Sequence, residues 1–222
     1  MKLEIREGSL KVKQLDIFHQ ADGGSIPTSS LHSTPNIRRV GHDLMKQFVE
    51  TWHYSKRIPT GKNIGYGLWI GWDLYAVIVY GIGVNPYQAK FLGCEKVMEI
   101  KRMCRSEPAM DYPLSRFISI TSKWLIKDYP FDMIVAFADP EHGHEGTVYK
   151  ASGFEYHGET NAEWHLIDQN GDSRHRRFAF RYARRNNISI AEARHQLGVK
   201  RVKTAPKHRW CRRVGKQLKG TK

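Results

Sequence analysis

The residues whose types and settings best suit chemistry are His53, Tyr54, Asp139 and Tyr149. His53 and Tyr54 stand where a helix gives way to a loop, a place from which side chains reach a cleft. An imidazole there can transfer protons, and a phenol can orient a substrate or stack on it. The plainer reading has both residues capping the helix and covering the core beside Trp52. Asp139 closes a short apolar strand, and ligands of open α/β sheets bind beyond the carboxyl ends of strands. Its carboxylate suits proton acceptance, or merely the N-cap of the turn that follows. Tyr149 can equally be a core aromatic with a hydrogen-bonded hydroxyl.

A metal set is also conceivable. His142-Gly143-His144 has HxH spacing, which in an extended segment turns both imidazoles to one side. His53 and Asp139 would complete a two-histidine-and-carboxylate set. Against it, a chain with 11 histidines produces one HxH easily, and a Gly-rich loop uses polar residues to cap the helix after Gly146.

The elements that must position these residues follow from periodicity. Residues 1–20 alternate well enough for one early strand, and 21–36, rich in Gly, Pro and Ser, read as a loop or linker. Leu44, Phe48 and Trp52 mark one stripe of a helix entered near Asp43. Strands are predicted at 65–71 and 74–83, joined as a hairpin around Trp72-Asp73, and at 97–104. An amphipathic helix over 114–127 turns Phe117, Ile118, Trp124 and Leu125 inward. The run Met133 to Ala138 reads as a doubly covered central strand. A short helix near 145–152 capped by Gly153 and a strand from Phe154 come next. Further strands are predicted near 163–168 and 176–182, around a turn at Asn170-Gly171. Ser189-Ile190-Ala191-Glu192 is a capping box for a last short helix ended by Gly198. This order predicts an α/β (α+β) fold, a central mixed sheet flanked by helices with a basic C-terminal extension. Three regions are expected: an N-terminal strand and loop over 1–36, a catalytic domain over 37–173, and a basic region over 174–222 packed on the same domain.

Charge is the strongest compositional signal. From Arg174 to Lys222 there are 17 Lys and Arg against a single acid, Glu192, out of a net charge of +14 for the whole chain. The rest of the chain is nearly neutral. Such polarity is the footprint of a polyanion binder, because neutralising phosphates releases condensed counterions. Phe178, Phe180, Tyr182 and Trp210 interleave with the charges, unlike a merely solvated tail. Lys207, His208 and Arg209 are candidate phosphate contacts. Three cysteines without a CxxC argue against a disulfide framework and for a reducing, cytoplasmic setting. The N-terminus is too charged for a secretory leader, and the most apolar stretch, Ile64 to Val84, is broken by Asp73 and glycines, so no membrane association is expected.

Two resemblances refine this. The segment from Gly146 through Tyr149, Gly153 and Phe154 to Gly158 resembles the end of a GNAT-type acyltransferase domain, where a tyrosine-bearing helix leads through Gly-Phe into a strand. More of the chain resembles the phage Mom proteins. The matching motifs are His53-Tyr54-Ser55, GYGLW, EIKRMC, Ser115-Arg116-Phe117, Ala138-Asp139-Pro140, Gly143-His144-Glu145-Gly146, Tyr149 to Phe154 and Pro206-Lys207-His208-Arg209, in order over residues 44–210.

The resemblance implies a GNAT-like transferase that converts adenine in duplex DNA to N6-(carbamoylmethyl)adenine, shielding phage DNA from host restriction. It implies that Tyr149 protonates a leaving group, and that Arg102, Ser115 and Arg116 bind the donor, unless Arg102 pairs with Glu99 instead. It also brings iron as a candidate cofactor. Asp139 would take a proton from adenine N6, and base flipping would call for an aromatic wall from Tyr54, Tyr66, Trp69 or Trp72. The short helix over 189–197 could enter a groove. A GNAT domain holds acetyl-CoA pyrophosphate on a Gly-rich loop. Here the corresponding loop, Arg105 to Leu114, has no glycine, two prolines and two acids, which argues against acetyl-CoA. The expected partners are double-stranded DNA and a small-molecule or carrier-borne donor, with the oligomeric state, a homodimer included, left open. The rivals are a conventional GNAT acetyltransferase acting on a protein or small-molecule amine, and a non-catalytic nucleic-acid-binding protein.

Overall fold

The structure, a computed structural model, describes residues 3–6, 9–12, 35–83, 87–106, 112–175 and 177–214. The chain divides into two compact units. One comprises residues 1–136, 148–155 and 211–222, the other 137–147 and 156–210. This partition differs from the boundaries at 37 and 174 expected from sequence.

The first unit is a mixed sheet between two helices. Its strands are β1 (Leu3–Arg6), β2 (Ser9–Val12), β3 (Asn36–Val40), β4 (Asn63–Ile70), β5 (Asp73–Ile82), β6 (Val97–Arg105), most of β7 (Met133–Ala138) and the end of β12 (His208–Arg213). They run β1-β2-β5-β6-β7-β12, with β4 joining β5 and β3 outside β4. β6 and β7 pair in parallel from Val97↔Met133 to Ile100↔Ala136. The helices of this unit are α1 (His42–Trp52), α2 (Gln88–Phe91), α3 (Leu114–Asp128) and, from Val148 onward, α4 (Thr147–Ala151).

Strand alternation assigns the faces. Val77 and Val79 of β5 pack with Leu44, Met45, Phe48 and Val49 of α1. A Cβ at Gly65 would fall 2.7 Å from Met45 Sδ, so the glycine lets α1 lie close on the sheet. On the opposite face Tyr80 hydrogen-bonds Thr121 and Ser122 of α3 at 2.8 and 3.3 Å. Each fully buried aliphatic or aromatic side chain here contributes about 1.5–3 kcal/mol by leaving water.

The second unit contains a three-stranded sheet, β10 (Ser173–His175), β9 (Trp164–Ile167) and β11 (Lys200–Lys203), in the order β10-β9-β11. Two helices, α5 (Arg177–Asn186) and α6 (Ile190–Gln196), accompany it. Leu166, Ala179 and Val199 form its small core. This unit also holds a 3-10 turn over Pro140–His142, the strand β8 (Glu155–Glu159) from Tyr156 onward, and the start of β12.

Several expectations change. The N-terminal strand is a hairpin of two, and β3, α2, β11 and β12 were not foreseen. The strand expected over 176–182 is helix α5: the alternation of Phe178, Phe180 and Tyr182 suggested period two, whereas the buried positions are Ala179 and Ala183, four apart. Trp124 is 39% exposed, its ring lying against Tyr66, while Thr121 and Ser122 take the buried places on α3. Most of the proposed linker over 21–36 and the centre of the Arg105 to Leu114 loop lie outside the described residues. Among the described residues no helix is long and apolar enough to cross a membrane.

Candidate functional site

The first unit gathers His53, Tyr54, Arg102 and Tyr149. α1 ends at His53, whose N–H still donates to Val49 O at 2.9 Å while its backbone turns extended. The turn closes with Lys56 at φ +47°, its N–H donating to His53 O. Inside that turn His53 Nδ1 receives the Ser55 N–H at 3.1 Å and lies 2.9 Å from the Ser55 hydroxyl. A backbone N–H only donates, so Nδ1 carries a lone pair and the neutral ring is protonated at Nε2. The Ser55 contact thus fixes the His53 tautomer, leaving the ring proton of the neutral form on Nε2. Ser55 is the residue that fixes this. It was visible only as a member of the motif.

Tyr54 lies on the His53 ring, centroids 4.3 Å apart, and is 44% exposed. Its hydroxyl acts electrostatically on Arg102 and on Tyr149. The Arg102 guanidinium is fixed by Nε to Arg57 O at 3.2 Å and Nη1 to Lys101 O at 2.6 Å. Burial lowers its pKa, but arginine stays charged at neutral pH. A partly desolvated, immobilised cation is what a donor bearing carbonyl or carboxylate oxygens would meet. Tyr149 is buried on α4 beside Phe154, and burial pushes its pKa well above the ordinary phenol value, so it keeps its proton. That suits a hydrogen-bond or proton donor and not a base.

β6 adds a residue the sequence did not single out. The β5–β6 ladder slips between Val79, opposite Arg102, and Tyr80, opposite Ile100, leaving Lys101 as the extra residue of a β-bulge. Lys101 is buried, donates to Thr60 O at 3.2 Å, and has its pKa lowered by burial. Gly81 makes room: a Cβ there would fall 2.7 Å from Lys101 Cε. Ser115 and Arg116 form a separate group at the start of α3. The Ser115 carbonyl accepts from Ser152 Oγ at 3.4 Å, and the Arg116 guanidinium lies 5.8 Å over Tyr112. Of the aromatics considered for a base-stacking wall, Tyr66 and Trp69 are buried core, covered by Arg39 and Arg38. Tyr54 and Trp72 are exposed.

The second unit centres on Asp139, which is 6% exposed. Its Oδ1 accepts the Glu141 N–H at 3.2 Å, capping the 3-10 turn, and its Oδ2 pairs with Lys207 Nζ at 2.7 Å. The capping reading thus holds, and the same carboxylate also carries an ion pair. Lys207 is tied to the carboxylate where a phosphate contact was expected. His208 lies between Glu145 and Glu159, at 3.8 and 3.6 Å, and edge-on to Tyr156. Arg209 Nη1 donates to His157 O at 3.2 Å. Behind them Gly146 adopts φ +83°, and a Cβ there would fall 2.0 Å from Trp210 Nε1.

The extended HxH geometry does not form. His142 ends the 3-10 turn and Gly143 is left-handed at φ +70°, so the two imidazoles are not set side by side on one strand face. Among the described residues no group of three or more His, Cys, Asp or Glu side chains could hold a metal ion. The described residues thus do not fit the iron that the resemblance implies.

Comparison with known proteins agrees with the motifs. The model of the Mom protein family matches residues 35–222. The curated protein "Methylcarbamoylase mom" of Escherichia phage Mu is 29% identical over 130 residues, 56% of this chain and 54% of its own length. The chain therefore spans about half the length of that relative. Similar solved structures include the IAA acetyltransferase of Bacillus cereus, 10% identical with a TM-score of 0.46, covering 82% of this chain and 100% of the other. The ribosomal-protein-S18-alanine N-acetyltransferase of Escherichia coli is 7% identical with a TM-score of 0.45, covering 83% and 99%.

Proposed function

We infer the activity from one premise: the chain belongs to the Mom protein family, whose match runs through residues 35–222. On that premise the protein is a DNA-modifying transferase that places a carbamoylmethyl group on adenine N6 in duplex DNA, with protection of phage DNA from restriction as the consequence. The methylcarbamoylase name of the phage Mu relative supports the group transferred. The 17 Lys and Arg against one acid after residue 173 support the polyanionic substrate.

The chemistry required is an N–C bond to a methylene. Adenine N6 attacks the CH2 carbon of the donor, the bond from that carbon to its leaving group breaks, and N6 loses a proton. The N6 lone pair is delocalised into the purine, so the step needs a well-placed donor and a proton acceptor. In the first unit, Tyr54 offers an exposed ring for stacking and His53 offers Nε2–H. Arg102 holds the polar end of the donor, Ser115 and Arg116 contact it separately from the start of α3, and Tyr149 gives a proton to the leaving group. In the second unit, taken by itself, Asp139 is a carboxylate suited to accept a proton, and Lys207 sets its charge balance. His208 and Arg209 border the DNA.

The test is chemical. Bacterial DNA from cells expressing the protein, digested to nucleosides, should contain an adenosine heavier by a carbamoylmethyl group, absent with His53→Ala or Asp139→Ala. Unmodified adenosine beside soluble, folded protein would overturn the proposal. An acetylated amine in its place would point to ordinary acetyl transfer.

A further inference from the structure

We propose that the second unit carries a nucleotide-binding cavity whose occupant is an unstacked base of a DNA strand together with its phosphate. The inference rests on the DNA reading above only for the identity of the polymer. None of its residues has an individual role there, although its three arginines are among the 17 basic residues counted.

The cavity has a volume of about 420 Å³ and is lined chiefly by Trp164, Phe180, Ile190, Arg177, Arg194 and Arg201. That lies within the range of about 300–1,000 Å³ usual for small-ligand sites, enough for a base with its sugar and phosphate. Its construction follows from two periodicities. Trp164 and Leu166 point to one face of β9, and Leu166 is buried in the small core with Ala179 and Val199. Arg177 and Phe180 share a face of α5, and Ile190 and Arg194 share one of α6. The core thus ends short of Trp164, Phe180 and Ile190, which stay 41%, 51% and 47% exposed.

Apolar side chains grouped in a concave surface and rimmed by charge mark a binding site. The charged lining residues are all arginines. Arg201 lies over Trp164, its Cζ 3.9 Å from the ring centroid, a cation–π contact that places its charge beside the aromatic face. From Arg174 to Arg209 there are twelve Lys and Arg and a single acid, Glu192, so a cationic partner is repelled and an anionic one drawn in. An acidic peptide would use the arginines but leave the aromatic faces unexplained. A nucleotide uses both, because every base has a π-face and every link a phosphate.

The experiment is fluorescence anisotropy of labelled 12-mer single-stranded and duplex oligodeoxynucleotides with the full chain. Trp164→Ala should weaken single-strand binding about 5- to 150-fold with the salt slope unchanged, the range expected for losing one stacked base. Trp164→Phe should recover most of it. Arg194→Ala should lower the slope of log K against log salt by about 0.7, the value for one single-strand phosphate contact. Thermal unfolding shows whether each variant is folded. Trp164→Ala binding within twofold of the unsubstituted chain would overturn the proposal. So would a free deoxynucleoside monophosphate that binds as tightly as the 12-mer, since the strand would then add nothing. Adenine modification is read separately. Modified DNA with no Trp164 effect would sink this inference alone, and a Trp164 effect with no modified adenine would sink only the proposed function.

Discussion

Replacing Lys207 by methionine should destabilise the second unit by about 1–3 kcal/mol, and the reasoning turns on unequal burial. Lys207 Nζ lies 2.7 Å from Asp139 Oδ2, with the lysine side chain 39% exposed and the aspartate 8%. Two unit charges about 4 Å apart attract by about 4 kcal/mol at an effective dielectric of about 20. Partial exposure of the lysine reduces this, and fully exposed pairs are worth only about 0–1 kcal/mol. Stripping a buried charge of its partner costs about 3–5 kcal/mol, so the half-exposed case falls between. The reverse change is milder. In Asp139→Asn the side-chain oxygen still accepts the Glu141 N–H, 3.2 Å away here, and the lysine returns to water. That change should cost about 1 kcal/mol or less. Urea unfolding of the two single variants and the double variant gives the coupling, expected at about 1–2 kcal/mol. A salt titration of duplex binding adds a second reading. A lysine that DNA draws from Asp139 onto phosphate lowers the slope by about 0.9 when removed, whereas one that stays with Asp139 in the complex leaves it nearly unchanged. Lys207→Met as stable as the unsubstituted chain, or Asp139→Asn the more damaging of the two, would refute the argument.

Three other changes test other parts of the molecule. Gly146→Ala combines a left-handed φ of +83° with a contact of 2.0 Å to Trp210, and should cost about 2–5 kcal/mol by thermal unfolding. Full retention of stability would mean the backbone does not press on Trp210. Lys101→Met removes a buried lysine whose pKa burial lowers, so in the unsubstituted chain the unfolded state binds more protons between the folded value and 10.5. Its stability relative to Lys101→Met should therefore rise as pH climbs toward 10.5, read as a urea midpoint that increases relative to the variant's. A gap constant with pH would contradict the assignment. Cys104 is buried, with its pKa pushed up to about 12, so a thiol reagent at neutral pH should label it only after unfolding. Rapid labelling of Cys104 in the native protein would show that β6 opens.

The alternating and helical patterns that bury whole faces were legible in the sequence. α1, the β4–β5 hairpin, β6, α3 and β7 all lie where periodicity placed them, because each buries a long apolar row. What escaped was set by non-local pairing. β3 has the burial pattern of an exposed edge and exists because Asn36 to Val40 pair with β4. β11 is exposed throughout, and its place comes from pairing with β9. α5 misled because its exposed aromatics advertise period two while two alanines carry the buried stripe.

The site was legible in a different way. The motifs named His53, Tyr54, Arg102, Asp139 and Tyr149, but the chemistry of each is decided by a neighbour that spacing cannot reveal. Ser55 fixes the proton of His53, two carbonyls hold Arg102, and Lys207 balances Asp139. A carboxylate already engaged by an ammonium is a weaker base than an isolated one. If Asp139 is to accept the N6 proton, Lys207 has to loosen its hold when DNA arrives, and nearby phosphates are groups able to draw it away. On this reasoning Asp139→Asn abolishes modification with DNA affinity intact. Lys207→Met leaves residual modification whose dependence on salt is flatter than in the unsubstituted chain, because phosphate competition no longer governs the carboxylate. A steeper dependence in Lys207→Met would show that Lys207 does not couple DNA binding to Asp139.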